Sequence, residues 1–239
     1  MNNAKHKFQL LRLLKAAVDK PELREHLYFK GGTCAMLLGW LDRFSVDLDF
    51  DIDPKVDIQK TKSAFLDIFK KLELEIKDQS KNAVEYFLKY PAEKNERNSI
   101  NLDALGTVYK ANRYENYYFA ELDRFIRCQT RETMFANKLV AIADRVSKGK
   151  RIAARDIYDI YYFYSQGFSY ETEVIVERTG KTPSEYFGQL LVLIEQELTQ
   201  TIIDEDLNYL LSLEKFKKIR LSLKEDALLV VRQEMSDIS

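Results

Sequence analysis

Cysteine is nearly absent from this chain of 239 residues: only Cys34 and Cys128 occur, in unrelated contexts and without a Cys-x-x-Cys spacing. That argues against a disulfide scaffold or a cysteine-held zinc site and fits a reducing cytoplasm. Histidine is as scarce, and His6 and His26 stand alone. They give no histidine metal pattern, and nothing resembles Ser-His-Asp or Cys-His catalysis. No run approaches the ~18 apolar residues of a membrane span, and residues 1–8 are polar, without the apolar core of a signal segment. An excess of charge of one sign is also missing, since 37 Lys+Arg against 38 Asp+Glu leave a net charge of −1. Any nucleic-acid contact must then come from a local basic patch. These absences lead to an expectation of a soluble, cytoplasmic protein with no membrane partner.

What is present is concentrated in two short stretches. Phe29-Lys30-Gly31-Gly32-Thr33 reads as the end of a strand, a glycine turn and the start of a helix that runs to Trp40. Asp47-Leu48-Asp49-Phe50 then reads as a strand reaching Ile52 and carrying two carboxylates. Strand side chains alternate, so Asp47 and Asp49 share a face, in line with Asp51 and Asp53. At ~4 Å two like charges repel by about 1 kcal/mol in water and by about 4 at an effective dielectric near 20. Such a pair calls for a cation or a shared proton. The glycines let backbone approach a ligand, and amides opening a helix favour phosphate. Acidic residues on strands are usually just solvated, but Asp is disfavoured in strands, and the adjoining glycine turn tips the reading to function. Metal-assisted phosphoryl or nucleotidyl transfer is the chemistry this combination suggests, with Mg²⁺ (or Mn²⁺) on carboxylate oxygens.

The rest of the chain divides near Thr130. Before it come an amphipathic helix over Phe8–Val18, the two stretches above, a helix over Val56–Leu72, and strands over Leu72–Ile76, Ala83–Tyr90 and Ser99–Leu105. That order predicts a mixed sheet with helices packed on it. Beyond Thr130 nearly every segment has helical period: Arg131–Val146, Ala153–Gln166, a helix opened by the capping box Thr182-Pro183-Ser184-Glu185, Asp204–Leu213 and Leu223–Glu234. The expectation is an α+β fold, with an α/β domain over 1–129 and a helical domain over 130–239.

Further candidate residues are ambiguous on their own. Asp103 shares a strand face with Asn101 and is a candidate third metal carboxylate or base; a strand-end aspartate opening a turn explains it equally well. Lys138 sits at the margin of the stripe Phe135, Leu139, Ile142, Val146, in line with Ala141 and Arg145. On spacing alone, a lysine whose stem covers the core edge is the better reading. Asp156 opens a helix, where acids commonly just complement the dipole. Arg145, Lys148, Lys150 and Arg151, with Arg155, gather five cations in eleven residues. Such a run is usually a solvated turn; beside a nucleotide site it becomes a candidate acceptor surface. The aromatic run Tyr158 to Tyr164 reads as helix packing rather than base stacking.

Taken in order, Lys30-Gly31-Gly32-Thr33, Arg43-Phe44-Ser45-Val46-Asp47-Leu48-Asp49-Phe50, Ala136-Asn137-Lys138-Leu139 and Arg155-Asp156-Ile157-Tyr158-Asp159 resemble the motifs of the AbiEii/MenT-like nucleotidyltransferases. These are toxins of type IV toxin–antitoxin systems within the DNA polymerase β-like superfamily. One departure is Cys34, where a small aliphatic residue is more typical. The resemblance implies a polymerase β-like nucleotidyltransferase sheet followed by a helical domain that contributes Lys138 and Asp156 to the site. It implies Mg²⁺ on Asp47 and Asp49, phosphate or metal-loop contacts from Ser45, the triphosphate on Lys138, and a catalytic constellation completed by Asp156. Lys30, Gly31, Gly32 and Thr33 would form the nucleotide-binding turn. It further implies a nucleoside triphosphate substrate, transfer to RNA at a tRNA acceptor end, and a separate winged-helix antitoxin. The alternatives are a small-molecule or protein hydroxyl as acceptor, and a non-catalytic nucleotide-binding module. No motif is matched beyond Tyr170.

Overall fold

Residues 3–93, 96–106 and 108–237 are described by a computed structural model, and among them run seven strands and eleven helices. Two compact units divide the chain, one of Met1–Gly39, Phe44–Val108 and Tyr114–Gln129, the other of Trp40–Arg43, Tyr109–Arg113 and Thr130–Ser239.

The first unit is built on a mixed sheet. Helix α1 (Asn3–Asp19) buries Leu10, Leu13, Leu14, Ala17 and Val18, and α2 (Pro21–Arg24) leads into β1 (Leu27–Lys30). Helix α3 (Gly31–Leu37) follows without a break, then β2 (Leu48–Ile52) and α4 (Ile58–Lys71). Asp57 caps α4 by accepting from the amides of Gln59 and Lys60. Strands β3 (Glu75–Gln79), β4 (Val84–Lys89), β5 (Ser99–Leu105), β6 (Tyr114–Phe119) and β7 (Arg124–Gln129) complete the order β3-β4-β5-β2-β1-β7-β6. β2 runs antiparallel to β1 and parallel to β5, and β1 runs parallel to β7.

Two strand expectations shift here. The strand expected over Leu72–Ile76 begins at Glu75, because Leu72 ends α4 and Glu73 turns the chain at φ 55°. The β6–β7 hairpin was not anticipated: Tyr114–Phe119 runs Tyr-Glu-Asn-Tyr-Tyr-Phe, without alternation and without a clean apolar face.

The second unit is helical: α5 (Arg131–Ser147), α6 (Ala154–Ser165), α7 (Thr172–Thr179), α8 (Pro183–Glu197), α9 (Gln200–Leu207), α10 (Leu213–Ile219) and α11 (Leu223–Asp237). The capping box at Thr182 and Glu185 is formed. The single helix expected over Asp204–Leu213 is instead the end of α9 and the start of α10. Thr199 caps the one through the Ile202 amide, and Ser212 caps the other through the Lys215 amide. Helix α7, stopped by Gly180 in the left-handed region, was also missed. No helix among the described residues is long and apolar enough to cross a membrane.

Candidate active site

The strand alternation of β2 holds. Leu48, Phe50 and Ile52 are fully buried on one side, and the aspartates point to the other. The four carboxylates nevertheless separate into three environments. Asp47, just before the strand, and Asp49 are half-buried. Asp51 is buried and accepts from Lys30 Nζ (2.6 Å), Gln129 Nε2 (2.7 Å) and Tyr114 Oη (2.8 Å). Asp53 lies beyond the strand and accepts from the Lys55 amide, opening a turn.

The glycine turn packs directly on the carboxylates. Gly31 has φ +78°, and a β-carbon there would fall 3.0 Å from Asp49 Cγ and nearer still to Oδ2. Only glycine combines that backbone with that approach. Gly31, Gly32 and Thr33 open α3, whose N-cap residue Lys30 makes no side-chain cap. Thr33 is fully buried, and its hydroxyl donates to the Asp47 carbonyl at 2.5 Å. It therefore ties the turn to the first carboxylate rather than offering that proton to a ligand. Lys30 is likewise engaged, with Asp51. Ser45 is buried two residues before Asp47, and its amide donates to Met36 Sδ.

Register brings in β5. Asp49 pairs with Asp103, and Asp47 Oδ1 accepts from Asn101 Nδ2 at 3.0 Å. Burial pushes the Asp103 carboxyl above its ordinary value, against the opposing pull of Lys30, and its Oδ1 is buried with no hydrogen-bond partner in the structure. Among the described residues no group of three or more metal-ligating side chains is assembled. A pair of carboxylates still suits Mg²⁺ or Mn²⁺: hard oxygen donors are what these ions take, and Mg²⁺ commonly keeps waters and substrate phosphates in its other positions. The orphaned Asp103 oxygen, one strand away, fits the same donor chemistry.

Behind the pair, His6 is buried with Nε2 2.9 Å from the Val46 carbonyl and Nδ1 2.7 Å from Tyr90 Oη. Sequence reasoning set His6 aside as isolated, and nothing in its neighbours along the chain signals that it touches the residue before Asp47.

Within the helical unit, Lys138 is not a lysine merely covering a core edge. Its Nζ donates to Asp159 Oδ2, which also accepts from Arg43 Nη2 at 2.7 Å. Asp159 is fully buried. Burial raises its carboxyl, but the charges of Arg43 and Lys138 outweigh that and hold it below the ordinary value. Asp156 lies elsewhere, accepting from Arg145 Nε at 3.1 Å. The carboxylate joined to Lys138 is thus Asp159, at the far end of the Arg155–Asp159 motif. Of the basic run, Arg151 pairs with Glu205 and Asp206, while Lys148 and Lys150 are exposed. The aromatic run packs: Phe163 and Tyr164 stand edge-on to Phe135, and Tyr158 donates to Asp42.

The model of the AbiEii nucleotidyl transferase toxins of type IV toxin–antitoxin systems matches residues 12–229. The chain belongs to this family. It is a nucleotidyltransferase on that membership, and the family's type IV setting implies an antitoxin partner. Solved structures share the fold. A Helicobacter pylori protein described as a candidate nucleotidyltransferase is 21% identical with a TM-score of 0.55, over 100% of this chain and 98% of its own. JHP933 from Helicobacter pylori is 21% identical with a TM-score of 0.53, over 99% and 94%. MenT4, a nucleotidyltransferase toxin from Mycobacterium tuberculosis H37Rv, is 14% identical with a TM-score of 0.55, over 99% and 91%. No curated protein matches the chain in sequence.

Proposed function

We propose that this AbiEii-family chain transfers a nucleoside monophosphate from a nucleoside triphosphate to a hydroxyl on RNA, at a tRNA 3′ end, as the toxin of its system. The observation that carries the reading is the contact of the Gly31 turn with Asp49: a backbone fitted for phosphates abuts the carboxylates that would hold a divalent cation. Asp47 and Asp49 would hold Mg²⁺, which when bound supplies neutralisation of charge developing on the phosphate oxygens. The Gly31-Gly32-Thr33 amides receive the β- and γ-phosphates. Asn101 orients Asp47 through its side-chain amide. Asp103 is the proposed proton acceptor, its raised affinity for a proton suiting it to that part. The acceptor oxygen forms a bond to the α-phosphorus, the bond to pyrophosphate breaks, and the hydroxyl proton passes to the base.

The family likeness assigns the triphosphate to Lys138, and we give Asp159 the part of holding that lysine, on the strength of their ion pair. Asp156 stays a candidate through its bond to Arg145. Lys148 and Lys150, exposed beside Arg145 and Arg151, are the cations proposed to meet an RNA backbone. The partner proposed is a separate winged-helix antitoxin, and the place of action the cytoplasm.

The test is transfer of α-³²P label from each nucleoside triphosphate to total RNA with Mg²⁺, with Asp47→Ala as control. Label on a tRNA-sized band that vanishes in the variant is the expected result. Label on small molecules or protein alone would replace the acceptor, and triphosphate binding without any transfer would leave a nucleotide-binding module.

A further inference from the structure

Strand alternation sends Val84, Tyr86 and Leu88 of β4 into the core, where Tyr86 meets Phe65 and Phe69 of α4. Glu85, Phe87 and Lys89 face the other way. Phe87 is 36% exposed, against 1% for Tyr86 beside it. Lone exposed apolar residues are ordinary on protein surfaces, so exposure alone says nothing about Phe87. Its place in the sheet does. Register sets Phe87 opposite Asn101, and Asn101 Nδ2 donates to Asp47. With neighbouring strands ~4.8 Å apart, the ring stands one strand beyond the amide that orients the carboxylate, on the same face.

The chemistry decides what would arrive there. The glycine turn follows β1 and lies on the β1 side of β2, so phosphates held by it place the leaving pyrophosphate on that side. Attacking and leaving oxygens stand roughly in line across the phosphorus. The acceptor therefore enters from the opposite side of β2, the side of β5 and β4. An aromatic ring standing on that approach meets the acceptor's end, not the base of the incoming triphosphate.

We infer that Phe87 is a stacking platform for the terminal nucleobase of a single-stranded nucleic-acid acceptor. The inference rests on the proposal above that the acceptor is RNA. Stacking on an aromatic side chain accepts any base, because every base has a π-face. The platform would thus hold a free 3′ end without reading its sequence, and selection among RNAs would lie elsewhere.

The experiment compares the full-length wild-type chain with Phe87→Ala, Phe87→Leu and Phe87→Trp. The probe is a short unstructured oligoribonucleotide with a free 3′ end, and binding and transfer are measured in Mg²⁺. Loss of one stacked base is worth about tenfold in affinity. Phe87→Ala should raise the acceptor KM and Kd by about that factor, with the triphosphate KM unchanged and kcat restored at saturating acceptor. Phe87→Leu should match Phe87→Ala, being apolar but not planar. Phe87→Trp should keep wild-type affinity and show fluorescence quenching beyond any change in the Trp40 signal of wild type when the oligoribonucleotide is added. Wild-type behaviour of Phe87→Leu, or a rise in the triphosphate KM instead, would overturn the platform. If wild type labels the oligoribonucleotide and Phe87→Ala does so equally well, the platform alone fails. If wild type neither binds nor labels it, the RNA reading fails and the platform with it.

Discussion

Lys138 is ion-paired to Asp159, a carboxylate with no exposed surface that is shared with Arg43. Removing one member of a buried pair strands the others' charge, at a cost of about 3–5 kcal/mol. Asp159→Asn should therefore destabilise the chain by that order in denaturant unfolding. Asp156→Asn, which breaks only partly exposed pairs with Arg145 and Arg155, should cost about 1 kcal/mol or less. The acid limb gives an independent sign. Because the Asp159 carboxyl is held below its ordinary 3.8, its contribution is fully present above that pH and is lost as pH falls through the lower folded value. Asp159→Asn should flatten that part of the stability profile.

Gly31 and Gly39 separate backbone strain from the close approach. Both have positive φ, +78° and +72°, but a β-carbon at Gly39 meets nothing within 4 Å, whereas at Gly31 it meets the Asp49 carboxylate. Alanine at either should cost about 1–2 kcal/mol of stability through its left-handed backbone. Only Gly31→Ala should also lower transfer, by about 100-fold or more, since Asp49 must move away. Parallel thermal melts and transfer assays on the two variants check this. Equal activity in both would mean that the turn and the carboxylate do not work together.

Much of this was legible in the sequence because it is local. The alternation around Leu48 and Phe50 and the capping box at Thr182 are set by neighbours a few residues away and appear where periodicity and capping place them, while α3 takes in the glycines at its start and ends at Leu37, short of the expected Trp40. What was missed is non-local. Asp51 looked like one more carboxylate in a row, yet Tyr114 and Gln129, 63 and 78 residues on, enclose it. Asp159 stood only as the last residue of the Arg155–Asp159 motif, yet Arg43 reaches it from 116 residues away. Spacing gave no signal for Asp159, because residues three apart on a helix share a face and Asp156 stands on the same one. The hairpin of Tyr114–Phe119 with Arg124–Gln129 escaped for another reason, because its outer strand lacks the apolar face that pattern reading depends on.

His6 gives a prediction near neutral pH. Burial pushes its ring below the ordinary 6.5, with the Val46 carbonyl pulling the other way. The unfolded chain thus takes up a proton at a pH where the folded chain does not. Stability should be highest above 6.5 and fall as the pH drops from there toward the folded value, levelling off below it. His6→Gln keeps polar groups in the space without a titrating ring, so its stability should lose that slope between pH 7 and 5. Unfolding in denaturant at several pH values measures it, and an unchanged slope in the variant would assign the dependence to other groups.

Lys30 and Asp51 form the pair whose role the structure most changes. In the sequence Lys30 belongs to the nucleotide-binding turn, but its ammonium is 2.6 Å from a carboxylate that is 2% exposed. Hydrogen bonds to charged groups contribute about 1.5–3 kcal/mol, and stranding the buried partner adds to the loss. Lys30→Met should therefore destabilise the chain, and so should Asp51→Asn. Because each single change leaves the other group unmatched, the double variant should cost less than the two together, with a coupling of about 1 kcal/mol or more. Tyr114 and Gln129 still donate to residue 51 in every variant, so the cycle isolates the ionic contact. The triphosphate KM of Lys30→Met tells which partner the lysine serves during turnover. A change within about threefold keeps Lys30 on Asp51. A large rise with little coupling would mean that it leaves the carboxylate for the phosphates, and that Asp51 is where it waits.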